Sequence, residues 1–92
     1  MNVVNENNRN VPNWELVDGH WIKREFSLKS FEAAIEFVNG VAKLSEEKNH
    51  HPHIAIDHKH VTLRLTTLSA KKLTSLDYDL AEEIEQLFKQ YA

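Results

Sequence analysis

The sequence predicts an α+β fold in which one four-stranded antiparallel sheet carries two α-helices on one face. First, the chain has 92 residues, 41% apolar and 27% charged, which is the composition of a single globular domain. Second, four short segments alternate apolar and polar residues in two consecutive pairs, which is typical of β-hairpins. Third, two longer segments repeat apolar residues with the helical period. Because every element has one apolar side, a sheet with both helices on the same face buries all of these sides.

The first hairpin is predicted after Pro12, where two β-prone runs flank the dipeptide Asp18-Gly19. Aspartate and glycine tolerate the positive φ angles that a tight hairpin turn requires. The second hairpin is predicted from Ile54 to Leu65, where isoleucine, valine and leucine alternate with other residues around a turn near residues 57–59.

The first helix is predicted to begin after Ser30, a residue type that caps helix N-termini, and to end near Lys48. Gly40 inside it costs about 1 kcal/mol relative to alanine, so we expect another element to pack closely against this position. The predicted apolar face comprises Phe31, Ala34, Ile35, Val38, Val41 and Ala42.

The second helix is predicted to begin after Thr74, because the run Thr-Ser-Leu-Asp places an acid at the third helical position, as in a capping box. Its predicted apolar face comprises Leu80, Ala81, Ile84, Leu87, Phe88 and Tyr91.

Residues 1–12 are mostly polar and rich in asparagine, and we expect a flexible leader there, followed by one domain over residues 13–92. The leader has no apolar core of a signal peptide and no apolar run reaches membrane-spanning length, which predicts a cytoplasmic protein without membrane contact.

The formal net charge of −3 argues against direct binding to nucleic acid. Cysteine is absent, which excludes disulfide and thiolate chemistry. Exposed edges of so small a sheet favour edge-to-edge pairing of two subunits.

Five of the six histidines lie within residues 50–60, in and around the connection between the first helix and the second hairpin. His58 and His60 are two residues apart on a predicted strand, so they would point the same way and could bind a metal, but no cysteine or HExxH helix supports such a site. A second interpretation makes His53, His58 and His60 ordinary surface residues. The third interpretation, acid–base catalysis, applies best to the adjacent pair His50-His51.

Histidine titrates near neutrality, so this pair could donate and accept a proton within one turnover. Pro52 restricts His51 to extended backbone, and the loop therefore sets the direction of both rings. Glu46 lies four residues before His50, near a helix C-terminus where the dipole favours cations. An acid in that position could orient or charge an imidazole.

The chain resembles the pterin-4a-carbinolamine dehydratases over about residues 14–88, including the order of the elements. The residues that carry the resemblance are Glu46, His50, His51 and Pro52 in the run Glu-x-x-x-His-His-Pro, and Asp77 shortly after a Leu-Thr pair. An acid, two histidines, a proline and an aspartate in register without gaps form a far more specific pattern than any single motif.

The resemblance implies a small subunit, assembled as a homodimer or homotetramer, that dehydrates the 4a-hydroxytetrahydropterin left by aromatic amino acid hydroxylases to quinonoid dihydropterin. It also implies that no cofactor and no metal takes part. His50 and His51 fall on catalytic positions of the family. Substrate-binding positions fall on Glu46, Pro52, Thr67, Asp77 and His58.

Two positions depart from the family pattern. His58 occupies an aromatic position, and Leu68, directly after Thr67, occupies the position of a third active-site histidine. Losing one general acid or base typically lowers a rate by about 10²–10⁴. The alternative is therefore a catalytically weakened or inactive scaffold that acts in binding, regulation or assembly. Relatives are known as partners of an animal transcription factor and as assembly chaperones for the carbon-fixing enzyme of carboxysomes.

Overall fold

A computed structural model of the chain describes residues 11–92 and contains the predicted α+β fold. The elements, in chain order, are β1 (Glu15–Val17), β2 (Trp21–Ser27), α1 (Phe31–Lys48), β3 (His53–Asp57), β4 (His60–Leu65) and α2 (Ser75–Phe88). The predicted order of two strands, a helix, two strands and a helix is confirmed. The predicted leader lies outside the described residues except for Val11 and Pro12, and Val11 is buried.

The four strands form one antiparallel sheet in the order β1-β2-β4-β3, which places β1 and β3 at its edges. Asp18 and Gly19 both have positive φ angles in the first hairpin turn, as predicted. In the second hairpin, His58 has a φ of 58° and lies in the turn between the strands. His58 and His60 therefore do not share a strand face. The prediction that they point the same way from one strand, as a metal pair would, is wrong.

Both helices cover the same face of the sheet and share one hydrophobic core with it. On the sheet side the core contains Ile22 and Phe26 from β2, and Val61, Leu63 and Leu65 from β4, all fully buried. The predicted apolar face of α2 is confirmed, because all six of its residues belong to this core or pack against it. Within residues 11–92 neither helix is long and apolar enough to cross a membrane.

The buried face of α1 is rotated from the predicted one. Ala34 and Val41 are buried as predicted. Phe37 is also buried, although it lies outside the predicted apolar face. The Phe37 ring lies 4.9 Å from that of Phe26 and 5.6 Å from that of Phe88, between centroids. Phe31 is 50% exposed. Because α1 is apolar over a wider arc than the sheet and α2 can cover, the flank that carries Phe31 stays open.

Close packing at Gly40 is confirmed. A Cβ atom added there would lie 2.8 Å from a methyl group of Leu87, so the absence of a side chain allows α2 to approach α1. Farther along the helix pair, Lys48 forms an ion pair with Glu83, and the hydrogen bond that the ammonium donates to this carboxylate raises the pKa of Lys48. These contacts set the end of α1 beside α2, where the histidine loop begins.

Candidate active site

The histidine loop begins where α1 is closed by a left-handed residue. Asn49 has a φ of 52° and a ψ of 43°, and asparagine is one of the few residues besides glycine that adopt this conformation at a helix end. The N–H of His50 then donates to the carbonyl of Ser45, at 3.0 Å. This closure turns the chain away from the helix axis and holds the backbone of His50 in place.

His50 pairs with Asp77, which lies 27 residues later at the start of α2. The Nε2 atom of His50 is 2.6 Å from Oδ1 of Asp77. The Asp77 side chain is fully buried, and the His50 side chain is 11% exposed. The second carboxylate oxygen of Asp77 accepts a hydrogen bond from the backbone N–H of Thr74 at 2.9 Å, which is part of the predicted cap of α2. One residue thus caps α2 and contacts the histidine loop.

Thr67 contacts the same carboxylate from the end of β4. Its hydroxyl donates to Oδ2 of Asp77 at 2.7 Å, and the residue is only 6% exposed. The Oγ1 atom of Thr74 lies 2.7 Å from that of Thr67. Sequence reasoning assigned Thr74 only as a helix cap and missed this second contact, although the capping pattern itself had located the residue beside Asp77.

His51 pairs with the second acid of the motif. Its Nε2 atom lies 2.5 Å from Oε2 of Glu46, which belongs to the last turn of α1. Both side chains are exposed, at 54% for His51 and 76% for Glu46. Each imidazole of the adjacent pair therefore contacts one carboxylate through Nε2, with His50 in a shielded environment and His51 in contact with solvent.

Both histidines line a cleft of about 330 Å³ between the histidine loop, the end of β4 and the start of α2. This volume lies within the range of small-molecule sites in proteins. The remaining lining residues are Asn49, Thr66, Thr67, Leu68, Ser69 and Leu76. Leu68 is 76% exposed and Leu76 is 44% exposed, so the lining combines apolar side chains with the two imidazoles. Sequence reasoning missed Leu76, and the only available signal was its place directly before Asp77.

The other expected site residues lie elsewhere. Pro52 follows His51 in the loop and is half-buried. His58 lies in the β3–β4 turn, at the opposite end of β4 from Leu68, and does not line the cleft. His60 contacts the hydroxyl of Ser27 through Nδ1 at 3.0 Å. Among residues 11–92, no three histidine, cysteine, aspartate or glutamate side chains converge as a metal site would require.

Comparison with known families gives a match to the model described as "Pterin 4 alpha carbinolamine dehydratase" over residues 2–87. A protein of Cyanothece sp., provisionally named a pterin-4-alpha-carbinolamine dehydratase, is 43% identical over 84 residues, which cover 91% of this chain and 86% of the relative. A similarly named protein of Rubrobacter xylanophilus is 37% identical over 79 residues, covering 86% of this chain and 74% of the relative.

Solved structures have the same fold. A transcriptional coactivator/pterin dehydratase from Brucella melitensis superposes with a TM-score of 0.78 at 32% identity, covering 82% of this chain and 81% of that one. A pterin dehydratase-like protein identified as a RuBisCO assembly factor in the alpha-carboxysome superposes with a TM-score of 0.71 over 82% of this chain and 88% of that one. Its 22% identity supports likeness of fold alone. From the family match and the curated relatives, the chain belongs to the pterin 4 alpha carbinolamine dehydratase family.

Proposed function

We propose that this protein dehydrates 4a-hydroxytetrahydropterin to quinonoid dihydropterin, without a metal or cofactor, and so recycles a tetrahydropterin. The observation that carries the proposal is the pair of adjacent imidazoles in one cleft, each with a carboxylate on its Nε2 atom. Dehydration needs one group that gives a proton to the leaving hydroxyl and one that takes a proton from the ring nitrogen. Histidine can do either near neutral pH.

His51 suits the role of the acid. Its ring is exposed, so it can recover a proton from water after each turnover, and its Nε2 atom faces the Glu46 carboxylate. As the protonated 4a-hydroxyl leaves as water, the C4a–O bond breaks and the electron pair of N5 forms the new C–N double bond.

His50 suits the role of the base. When Asp77 is ionised its carboxylate can only accept hydrogen bonds, so the Nε2 atom that faces it carries a proton. The other ring nitrogen of His50, Nδ1, has no hydrogen-bond partner within residues 11–92 and is left to take the proton from N5. The two proton transfers balance, because one proton enters with the leaving water and one is removed from the ring.

Leu68 and Leu76 supply the apolar wall for the flat face of a bicyclic ring. A cleft lined by two exposed leucines and two imidazoles matches a heterocycle with a hydrophobic face and polar edges. We propose that Glu46 and Pro52 contribute to the site through His51, while a substrate contact from His58 would require a neighbouring subunit.

The direct test measures the dehydration of 4a-hydroxytetrahydropterin with the purified protein, against the spontaneous rate in the same buffer. Acceleration that depends on His51 is the expected result. An equal rate with and without protein would exclude the enzymatic function.

A binding or assembly function is the second candidate, and the exposure of Leu68 favours it. An apolar side chain that is 76% exposed, at the position where the family resemblance implies a histidine, suits contact with another protein better than proton transfer. The retained His50–Asp77 and His51–Glu46 pairs favour the enzyme, since a pure scaffold has no evident use for them. A protein that binds another protein but does not accelerate dehydration above the spontaneous rate would be a scaffold and not an enzyme.

We further propose that two copies associate through β3. This edge strand reads His-Ile-Ala-Ile-Asp, and an antiparallel copy centred on Ala55 would set His53 opposite the partner's Asp57 on one face, and Ile54 opposite the partner's Ile56 on the other. Ile56 is 39% exposed in the single chain and would become covered. The assembly is a homodimer or homotetramer in the cytoplasm, with an aromatic amino acid hydroxylase as the source of substrate.

A further inference from the structure

The carboxylate of Asp77 receives hydrogen bonds from three separate segments of the chain. Oδ2 lies 2.7 Å from the Thr67 hydroxyl and 2.9 Å from the Thr74 backbone nitrogen, and Oδ1 faces Nε2 of His50. A backbone N–H can only donate, and the Thr67 hydroxyl gives its single hydrogen to this carboxylate. The atom at the Oδ2 position must therefore be an acceptor.

Thr74 also determines the direction of the hydrogen bonds behind Asp77. Because the hydrogen of the Thr67 hydroxyl is committed to Asp77, the Thr74 hydroxyl is the donor across the 2.7 Å that separates it from Thr67. The Thr74 hydroxyl thus donates to the Thr67 hydroxyl, which donates to the Asp77 carboxylate. All of these groups are buried or partly buried, where an unsatisfied polar atom destabilises the fold. The direction of both hydrogen bonds is therefore well maintained.

We propose that Thr67 and Thr74 are positioning residues that orient Asp77, and that Asp77 in turn keeps the proton of His50 on Nε2 and leaves Nδ1 unprotonated. In this arrangement Asp77 acts through His50 and makes no contact with substrate, which differs from the substrate-binding role that the family resemblance implies. The benefit for catalysis rests on the proposed dehydration, whereas the tautomer of His50 does not depend on it.

The substitution Asp77→Asn gives the sharpest test. The Thr67 hydroxyl and the Thr74 N–H both require an acceptor, so the amide oxygen of the new side chain takes the Oδ2 position. Its NH₂ group then faces Nε2 of His50, which must become the acceptor and move its proton to Nδ1. The orienting residues thus predict an inverted tautomer in Asp77→Asn. In Asp77→Asn with Thr67→Val, one of the two orienting donors is lost, and the spectrum should contain both tautomers.

The measurement is long-range ¹H–¹⁵N NMR of the imidazole nitrogens in the full chain, at a pH where the ring is neutral, with the His50 signals identified by their loss in His50→Gln. The wild type should have a protonated Nε2 and an unprotonated Nδ1. Thr67→Ser keeps the hydroxyl and, in the Asp77→Asn background, should preserve full inversion. Thr62→Val, a matched change on the open face of β4, should leave all His50 signals unchanged.

Three results would overturn the proposal. The first is a protonated Nδ1 in the neutral ring of the wild type, and this result does not depend on the folding of any variant. The second is an unchanged tautomer in Asp77→Asn. The third is full inversion in the double variant, which would remove Thr67 from the orienting role. If the tautomers behave as expected and the protein still fails to accelerate dehydration, only the proposed function is refuted.

Discussion

The Nε2 atom of His50 lies 2.6 Å from the Oδ1 atom of Asp77, so the loop after α1 and the first turn of α2 meet at one hydrogen bond. Asp77 is fully buried at this contact and also caps α2 through the Thr74 N–H. A first-turn acid that would ordinarily stabilise only its own helix is therefore also the partner of an imidazole in the cleft. The histidine loop and the start of α2 are therefore joined at one side chain, although 27 residues separate His50 from Asp77 in sequence.

His51→Ala should abolish the excess dehydration rate. The exposed His51–Glu46 pair is the proposed proton donor, and removing a general acid typically costs about 10²–10⁴ in rate. Steady-state kinetics with 4a-hydroxytetrahydropterin measure the effect. His20→Ala is the matched control, because His20 is exposed in the first hairpin, where its Nδ1 atom lies 2.8 Å from the Asp18 carbonyl oxygen, and it does not line the cleft. Equal losses in both variants would contradict a specific role for His51.

Leu68→His should raise the dehydration rate if catalysis is limited by the lack of the third histidine that the family resemblance implies at this position. Leu68 lines the cleft with 76% of its surface exposed, so an imidazole fits there without disturbing the core, and the gain could reach about 10²-fold, the lower end of a typical acid–base contribution. Leu76→His places the same ring in the lining of the same cleft, from α2, and serves as the control. An unchanged or lower rate in a folded Leu68→His variant would mean that the site works without a group at this position.

Asp77→Asn should lower kcat by about 10²–10⁴ and leave KM nearly unchanged, because a wrong histidine tautomer disables the base while substrate contacts persist. The amide oxygen still accepts from the Thr74 N–H, so the cap of α2 is kept and the variant should fold. Initial rates over a range of substrate concentrations separate the two constants. A raised KM with an unchanged kcat would instead indicate direct substrate binding by Asp77.

Ile56→Lys should break the proposed dimer. Ile56 lies on the edge strand β3 and is 39% exposed, and a lysine on a sheet edge disfavours pairing with another strand. Molar mass in solution, measured by light scattering during gel filtration, should fall to that of a single chain. Leu16→Lys is the matched control on the opposite edge, in β1, where Leu16 is 52% exposed. Dissociation by Leu16→Lys alone would assign the interface to the other edge.

The elements of this fold were predictable because their signals are local. Asp18-Gly19 indicated the first turn, Ser30 and Thr74 marked the helix starts, and Gly40 indicated the close approach that Leu87 makes. Each of these follows from backbone conformation or from spacing within one segment. The rotation of α1 was predicted less well, because periodicity identified an apolar arc but could not tell which part of it the sheet would cover.

For the candidate site, the residue types and their order along the chain come from the sequence, and Glu46 beside the histidine pair follows from the helical turn that separates them. The sequence could not reveal that Asp77 is buried behind His50, that Thr67 and Thr74 hold its other oxygen, or that Leu76 joins the cleft wall. These contacts join residues many positions apart, so they exist only once α2 has packed beside the end of α1. Which nitrogen of His50 faces a carboxylate is therefore a property of the packed core, whereas the presence of an imidazole there is a property of the chain.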